Sequence, residues 1–123
     1  VHLVNQVTDS YPYYRLADIF VCSSFEEAFP RVVMEAASFG LPIVSTNVNG
    51  IPEMLQANDA WLVPPGEPTK LSEAMSAALN AHLSGDRSRA NRAQRRVNDN
   101  FSTTVLFPEH VALAVETAGP SVR

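Results

Sequence analysis

Short apolar runs, several of them β-branched, recur along the chain and alternate with segments of helical character. The four runs are Val1 to Val4, Asp18 to Cys22, Leu41 to Ser45 and Ala60 to Val63. Nearly continuous apolar runs indicate strands covered on both faces, because a strand with one wet face would alternate apolar and polar residues. The pattern therefore predicts an α/β fold: a Rossmann-like, doubly wound, mainly parallel sheet of about four strands with right-handed crossovers.

Proline, glycine and serine mark the ends of the predicted helices. Helices are expected at 11–17, 30–39 and 52–56, over roughly a dozen residues around 71–79, in the arginine-rich segment after residue 86, and from residue 103. Pro30 is expected at the first position of the second helix, with Gly40 after its last turn. Ser102 is expected to cap the last helix, which Pro108 must end or kink.

Length, composition and charge exclude several classes of protein. With 123 residues, the chain suits one domain over residues 1–118 and a short tail at 119–123. A hydrophobic content of 46% excludes a disordered chain, and no apolar run approaches the roughly 20 residues of a membrane-spanning helix. The net charge of −4 argues against a nucleic-acid partner, and the single Cys22 suits a reducing compartment. Because the chain begins at Val1, we expect it to be a piece of a longer protein.

One stretch of the chain concentrates positive charge. Its arginines are Arg87, Arg89, Arg92, Arg95 and Arg96. One interpretation is a patch for an anionic surface such as lipid headgroups, which would allow peripheral contact with a membrane. The other is a solvated helix face, which we favour because no aromatic residue interleaves the arginines.

Three loops are candidates for a binding site, because ligands of a doubly wound sheet bind beyond the carboxyl ends of its strands. These loops are 23–29, 46–51 and 64–67. The first leads into the helix at Pro30, whose N-terminal N–H groups and positive dipole end suit a phosphate. Glu27 lies before this helix and Glu35 in its second turn, and a carboxylate can accept hydrogen bonds from paired sugar hydroxyls. Alternatively, Glu35 forms a surface ion pair with Arg31, four residues earlier.

The segment from Ala17 to Ala36 carries a more specific signal than the spacing of its two glutamates. With its Glu27-Ala28-Phe29-Pro30 run and Glu35, it resembles the donor-site signature, including the E-x7-E motif, of retaining GT-B glycosyltransferases of the large group 1, or GT4-like, family. The similarity covers residues 1 to about 80 and continues in order through Gly40 to Thr46, Asn49 to Glu53, and Trp61 to Pro68.

The resemblance implies a transferase that moves a sugar from a nucleotide diphosphate donor to an acceptor, with retention at the anomeric carbon and without a metal. The acceptor would be a glycan, a lipid-linked sugar or a small molecule, and the reaction would belong to carbohydrate biosynthesis in the cytoplasm or at the cytoplasmic face of a membrane. In this family Glu35 would bind the ribose hydroxyls. Glu27 would be the catalytic residue beside the transferred sugar, as nucleophile or as stabilising group. The backbone amides expected to contact the sugar and diphosphate are those of Ala28, Phe29, Arg31 and Val32.

The sequence departs from the family pattern in the site loops. Glycines are frequent in the family where this chain has Ala28, Pro30 and Asn49. Pro30 has no N–H, so one phosphate donor is absent, and Ala28 must adopt an ordinary backbone conformation. Asn49 tolerates the left-handed region, so we expect a modest effect there.

The family's donor domain also has parts that nothing in this chain matches. These are two earlier strands, the basic residues that hold the diphosphate, and an N-terminal Rossmann-like domain for the acceptor. We therefore expect the chain alone not to catalyse transfer. In the family order 3-2-1-4-5-6 the four strands would be 3, 4, 5 and 6, which leaves Asp18 to Cys22 as an exposed apolar edge. Three outcomes stay open: Val1 to Val4 pairs with that edge, a second copy of the chain pairs with it, or the chain alone is poorly stable.

Two other functions stay open from the sequence. One is a related two-domain sugar-nucleotide epimerase, which the ordered match to the transferase signature disfavours. The other, from a different class, is a non-catalytic nucleotide- or sugar-binding module. The three histidines show no metal-ligand spacing. The resemblance further implies that the nucleotide sugar is a substrate and that no metal and no cofactor is needed.

Overall fold

A computed structural model describes residues 1–101, and within them one parallel sheet organises the chain. Its strands are β1 (Phe20–Cys22), β2 (Ile43–Thr46) and β3 (Trp61–Val63), in the order β1-β2-β3. Phe20 pairs with Ile43, and Val44 pairs with Trp61, both in parallel register. The predicted α/β fold with a parallel sheet is confirmed, and its strands lie in the sequential order expected of family strands 4, 5 and 6.

The prediction of a strand at Val1 to Val4 is wrong, so the described residues hold three strands instead of about four. Residues 1–4 form no regular secondary structure and are exposed. Val4 and Val7 line a shallow cavity with Tyr13 and Tyr14, and the described strand pairs do not include Val1 to Val4. A four-residue apolar run carries no information about its partner, because strand pairing needs a neighbour in register.

Five helices flank the strands in the described residues: α1 (Tyr11–Leu16), α2 (Arg31–Ser38), α3 (Ile51–Met54), α4 (Pro68–Ser84) and α5 (Ser88–Asn100). The predicted α4 is too short, since the helix starts at Pro68 and runs for 17 residues until Gly85 with φ +80° ends it. The helix expected from residue 103, with its Ser102 cap and Pro108, lies outside the described residues, as does the tail at 119–123.

The ends of α2 differ in how well the sequence predicted them. Gly40, with φ +74°, follows the helix, and the Leu41 amide donates to the Ala36 carbonyl while the Gly40 amide donates to Ala37, which is the predicted glycine termination. Pro30, in contrast, is not the first helical residue. Its ψ of 104° is extended, so it precedes the helix as the N-cap residue.

Helices cover both faces of the sheet. On one face, Val33 and Met34 of α2 pack with Ile43 of β2 and with α3 and α5 in the larger core cluster. On the other face, Val44 and Val63 pack against Ala74 and Ala78 of α4. Neighbouring residues of β2 therefore belong to different clusters, which explains why the strand sequences are continuously apolar.

The arginines of α5 hold the edge of the sheet at which its strands begin. Arg89 donates to the backbone carbonyls of Ala57 and Ala60 and lies over the Trp61 ring, 4.9 Å from its centroid. Arg92 donates through Nε to the Asn58 carbonyl at 2.8 Å. Arg87 and Arg95 are exposed, as a solvated face requires. Arg89, Arg92 and Arg96 are partly buried and each donates to an acceptor of the fold, so a solvated face does not describe them. Contact of this segment with an anionic surface stays a prediction.

The strongest of these contacts joins Arg96 to Asp59. The Arg96 Nε lies 2.6 Å from Oδ2 of Asp59, whose side chain is only 5% exposed. The same carboxylate oxygen accepts the backbone amide of Gln56 at 2.9 Å. Asp59 is therefore a buried charge whose partners fix the loop that leads into β3.

We expect Arg96→Gln to lower the free energy of unfolding by about 2 kcal/mol, because it leaves a buried carboxylate without its cation. The loss is smaller than for a fully buried pair, since Arg96 keeps part of its guanidinium in water. Urea denaturation followed by circular dichroism measures the change. Arg95→Gln removes the same charge from an exposed position of α5 and should change stability by less than about 0.5 kcal/mol. Equal effects of the two substitutions would contradict the assigned role.

Candidate functional site

The carboxyl ends of β1, β2 and β3 meet at one edge of the sheet, as parallel pairing requires. A cleft of about 250 Å³ lies there, and all three loops predicted from the sequence contribute to it. Its lining residues are Ser23, Phe25, Thr46, Pro64, Gly66, Glu67, Pro68 and Leu71. The lining is largely apolar. The two predicted carboxylates are not part of it; they belong to the other end of loop 23–29 and to α2.

Glu27 is half-buried and held within its own loop. The Ser24 hydroxyl donates to Oε1 of Glu27 at 2.7 Å. The Ser24 carbonyl in turn accepts the Thr46 hydroxyl at 2.6 Å, which ties the loop after β1 to the end of β2. The position of Glu27 is therefore fixed by a short chain of hydrogen bonds that starts on the neighbouring strand.

A glycine lets the second loop approach the Glu27 loop closely. The Gly50 amide donates to the Glu27 carbonyl at 3.4 Å, and a Cβ on Gly50 would lie 2.1 Å from the Ala28 carbonyl oxygen. Asn49 before it adopts φ +38°, the left-handed conformation that the sequence allowed for asparagine. The support that Gly50 gives to the site loop was missed from the sequence, in which Asn49-Gly50 differs from the family pattern only at the asparagine.

The N-terminus of α2 follows this loop and has no side-chain cap within the part of the chain that is described. Its first turn presents the backbone N–H groups of Arg31 and Val32 at the positive end of the helix dipole. Phe29, just before the helix, is 39% exposed. The Phe29 ring meets Phe101 edge-on, with ring centroids 5.4 Å apart.

Glu35 is half-buried in the second turn of α2, and its partner comes from α1. The Tyr14 hydroxyl donates to Oε2 of Glu35 at 2.9 Å across 21 positions of sequence. Burial, then the hydrogen bond to Glu35 and the charge of that carboxylate, raise the pKa of Tyr14 well above its usual range, so the phenol stays neutral and donates. Burial and the Glu35 charge also raise the pKa of Tyr11.

Tyr14 was missed from the sequence, where the partner considered for Glu35 was Arg31 in the preceding turn of the same helix. The only local signal was the aromatic run Tyr11-Pro12-Tyr13-Tyr14, whose proline at the second position suits a helix start. Nothing in that run indicates which tyrosine faces α2.

Two further features concern metals and membranes. Within residues 1–101, no group of three or more histidine, cysteine, aspartate or glutamate side chains could hold a metal ion. None of the described helices has the length and apolar character needed to cross a bilayer.

The chain is similar to several biosynthetic glycosyltransferases in sequence. It is 26% identical to the capsular polysaccharide biosynthesis glycosyltransferase CapM of Staphylococcus aureus over 110 residues, covering 89% of this chain and 29% of that protein. It is 39% identical to the amylovoran biosynthesis glycosyltransferase AmsK of Erwinia amylovora over 70 residues, covering 51% and 16%. One component of the human phosphatidylinositol N-acetylglucosaminyltransferase is 43% identical over 67 residues, covering 54% and 14%. The chain thus spans less than a third of the length of these relatives.

Solved structures show the same arrangement of elements. Sucrose-phosphate synthase from Thermosynechococcus elongatus superposes with a TM-score of 0.74 at 26% identity, covering 93% of this chain and 28% of that one. A glycosyltransferase from Rickettsia africae has the same fold with a TM-score of 0.73 at 21% identity, covering 93% and 31%. The family model described as glycosyl transferases group 1 matches residues 1–81. Since this match covers more than half of the chain and includes β1 to β3, the chain belongs to the group 1 glycosyltransferase family.

Proposed function

We propose that the chain is the donor-binding part of a retaining, hexosyltransferase-type GT-B enzyme that uses a nucleotide-diphosphate sugar. The observation that carries this proposal is that Glu27 precedes α2, whose N-terminus has no side-chain cap among the described residues, while Glu35 lies in its second turn. Each carboxylate also accepts a hydrogen bond from a neighbouring hydroxyl, as a preorganised polar site requires. The family membership supports the same function.

Glu35 is proposed to bind the ribose. Its Oε2 accepts the Tyr14 hydroxyl, which uses one of about four acceptor positions of the carboxylate. The remaining positions can accept hydrogen bonds from two vicinal hydroxyls. Glu35 is half-buried, so such bonds would be shielded in part from water.

The diphosphate and the sugar are proposed to lie against the start of α2. The amides of Ala28, Phe29, Arg31 and Val32 belong to the loop and first turn that precede Glu35, where the helix dipole favours negative charge. Pro30 contributes no N–H, so the contact relies on its neighbours. Glu27 is the proposed catalytic residue beside the transferred sugar, as nucleophile or as charge-stabilising group. We propose that no metal and no cofactor takes part.

The acceptor and the cellular setting follow from the relatives only as a proposal. The names of the relatives refer to capsular polysaccharide, amylovoran and phosphatidylinositol, which supports a glycan or lipid-linked acceptor in carbohydrate biosynthesis. A cytoplasmic setting, with peripheral contact at the cytoplasmic face of a membrane, fits such acceptors. A non-catalytic nucleotide-binding module is the second candidate, because the cationic partners of the diphosphate and an acceptor domain are unmatched here.

We expect the chain to bind nucleoside diphosphates weakly and Glu35→Gln to lower the affinity at least about tenfold, because two charge-assisted hydrogen bonds to ribose are weakened. Titrations of UDP, GDP and ADP followed by NMR measure the binding, and EDTA should leave it unchanged. The matched control is Glu53→Gln, an exposed carboxylate on α3. Equal affinities of the wild type and Glu35→Gln would remove Glu35 from the site, and binding abolished by EDTA would contradict the metal-free proposal.

We expect no sugar transfer by the 123-residue chain with UDP-, GDP- or ADP-sugars, because a transfer reaction needs the acceptor held in line and the diphosphate charge neutralised. A coupled assay that detects the released nucleoside diphosphate measures turnover. A rate above that of Glu27→Gln would show that this chain is catalytic by itself.

We expect Gly50→Ala to disturb the Glu27 loop, because the new methyl group would overlap the Ala28 carbonyl oxygen. The substitution should lower the free energy of unfolding by roughly 1 to 3 kcal/mol and weaken nucleotide binding. Thermal unfolding and the same titrations measure both effects. The control is Gly85→Ala: no described atom lies within 4 Å of a Cβ added there, so its strain comes from its own φ of +80° and it should destabilise without weakening binding.

A further inference from the structure

We propose that Tyr14 is a positioning residue of the nucleotide site, which holds the Glu35 carboxylate in the orientation that receives the ribose. This inference rests on the proposed function of Glu35. Its basis is the 2.9 Å hydrogen bond from the Tyr14 hydroxyl to Oε2 of Glu35. The bond joins α1 to α2 across 21 positions of sequence. Tyr14 touches no reacting group and acts through Glu35.

The Tyr14 ring is fixed by the same elements that carry the site. Its side chain is buried, and its centroid lies 5.3 Å from that of Phe39, which follows α2, and 5.9 Å from that of Phe20 in β1. Tyr11 packs on both Tyr14 and Phe39, at 6.3 and 5.4 Å. A hydroxyl mounted on a ring so enclosed has little freedom, so it defines one direction for the carboxylate.

The chemistry of the pair makes Tyr14 a donor under all ordinary conditions. A phenol kept neutral by burial and by a nearby carboxylate has one proton to give, and a carboxylate can only accept. In this bond Tyr14 is always the donor and Oε2 of Glu35 the acceptor, and Oε1 of Glu35 takes no part in it. A glutamate side chain at a half-buried helix position otherwise has several rotamers, and selecting one before the ligand arrives lowers the entropy cost of binding.

A purely structural role for Tyr14 predicts something different. The ring would then stabilise the contact between α1 and α2 by packing, and loss of the hydroxyl would affect all ligands alike. A positioning role predicts that the hydroxyl matters only for ligands whose ribose hydroxyls reach Glu35. Tyr14→Phe separates these roles, because it keeps the ring and removes only the donor.

The test compares Tyr14→Phe with the wild type by NMR titration of the nucleoside diphosphate that binds best among UDP, GDP and ADP, and of its 2′,3′-dideoxy analogue. We expect Tyr14→Phe to weaken binding of the ribonucleotide roughly three- to tenfold, and to leave binding of the dideoxy analogue unchanged. In the Glu35→Gln background Tyr14→Phe should have no such effect. Tyr13→Phe, which alters an exposed tyrosine of the same helix, is the matched control and should bind both ligands as the wild type does.

A second measurement is independent of nucleotide binding. The ¹³C resonance of the Glu35 carboxyl, identified by its loss in Glu35→Gln, should shift in Tyr14→Phe and not in Tyr13→Phe. An unshifted resonance overturns the proposal even if nucleotides bind, as does an equal loss of affinity for the ribonucleotide and its dideoxy analogue. If no nucleotide binds to the wild type while the resonance shifts, the proposed donor-site function is wrong. The shift would still show that Tyr14 orients the Glu35 carboxylate.

Discussion

The parallel pairing of β1 with β2 and of β2 with β3 is the constraint on which the site depends. Parallel strands end at the same edge, so the loops after all three are neighbours although they are far apart in sequence. Hydrogen bonds across this edge then fix the loop after β1. Thr46 at the end of β2 binds the Ser24 carbonyl, and Gly50 binds the Glu27 carbonyl. The sheet register and the position of the proposed catalytic carboxylate are thereby linked.

Both carboxylates of the candidate site accept hydrogen bonds from hydroxyl donors. Ser24 donates to Glu27 from the same loop, and Tyr14 donates to Glu35 from a different helix. A neutral donor orients a carboxylate without cancelling its charge, so acceptor capacity stays available for the proposed sugar hydroxyls. The donor to Glu27 lies in the same loop, whereas the donor to Glu35 lies on α1, which would make α1 part of the proposed site.

The arginines of α5, and Arg87 just before it, form their hydrogen bonds at the edge of the sheet opposite to the candidate site. Arg89, Arg92 and Arg96 bind the loop before β3, and Arg87 donates to the Gly40 carbonyl before β2. These contacts stabilise the connections at which the strands begin, while the loops at which the strands end carry the candidate site. The fold therefore separates the residues that hold the sheet from those proposed to bind ligand, which is typical of doubly wound folds.

The sequence determined the class of fold, the three strands that lie between helices, the termination of α2 at Gly40, and the segment that carries Glu27 and Glu35. These features follow from local patterns, because strand periodicity and a glycine with positive φ depend on near neighbours in the chain. The failure at Val1 to Val4 has the same origin: an apolar run predicts a strand but contains nothing about its partner. Only the tertiary structure showed that the arginines bind backbone carbonyls, that Gly50 passes beside Ala28, and that Tyr14 holds Glu35. Each of these contacts joins residues more than 20 positions apart, and such pairs are decided by how helices and loops pack on the sheet, which no local pattern in the sequence encodes.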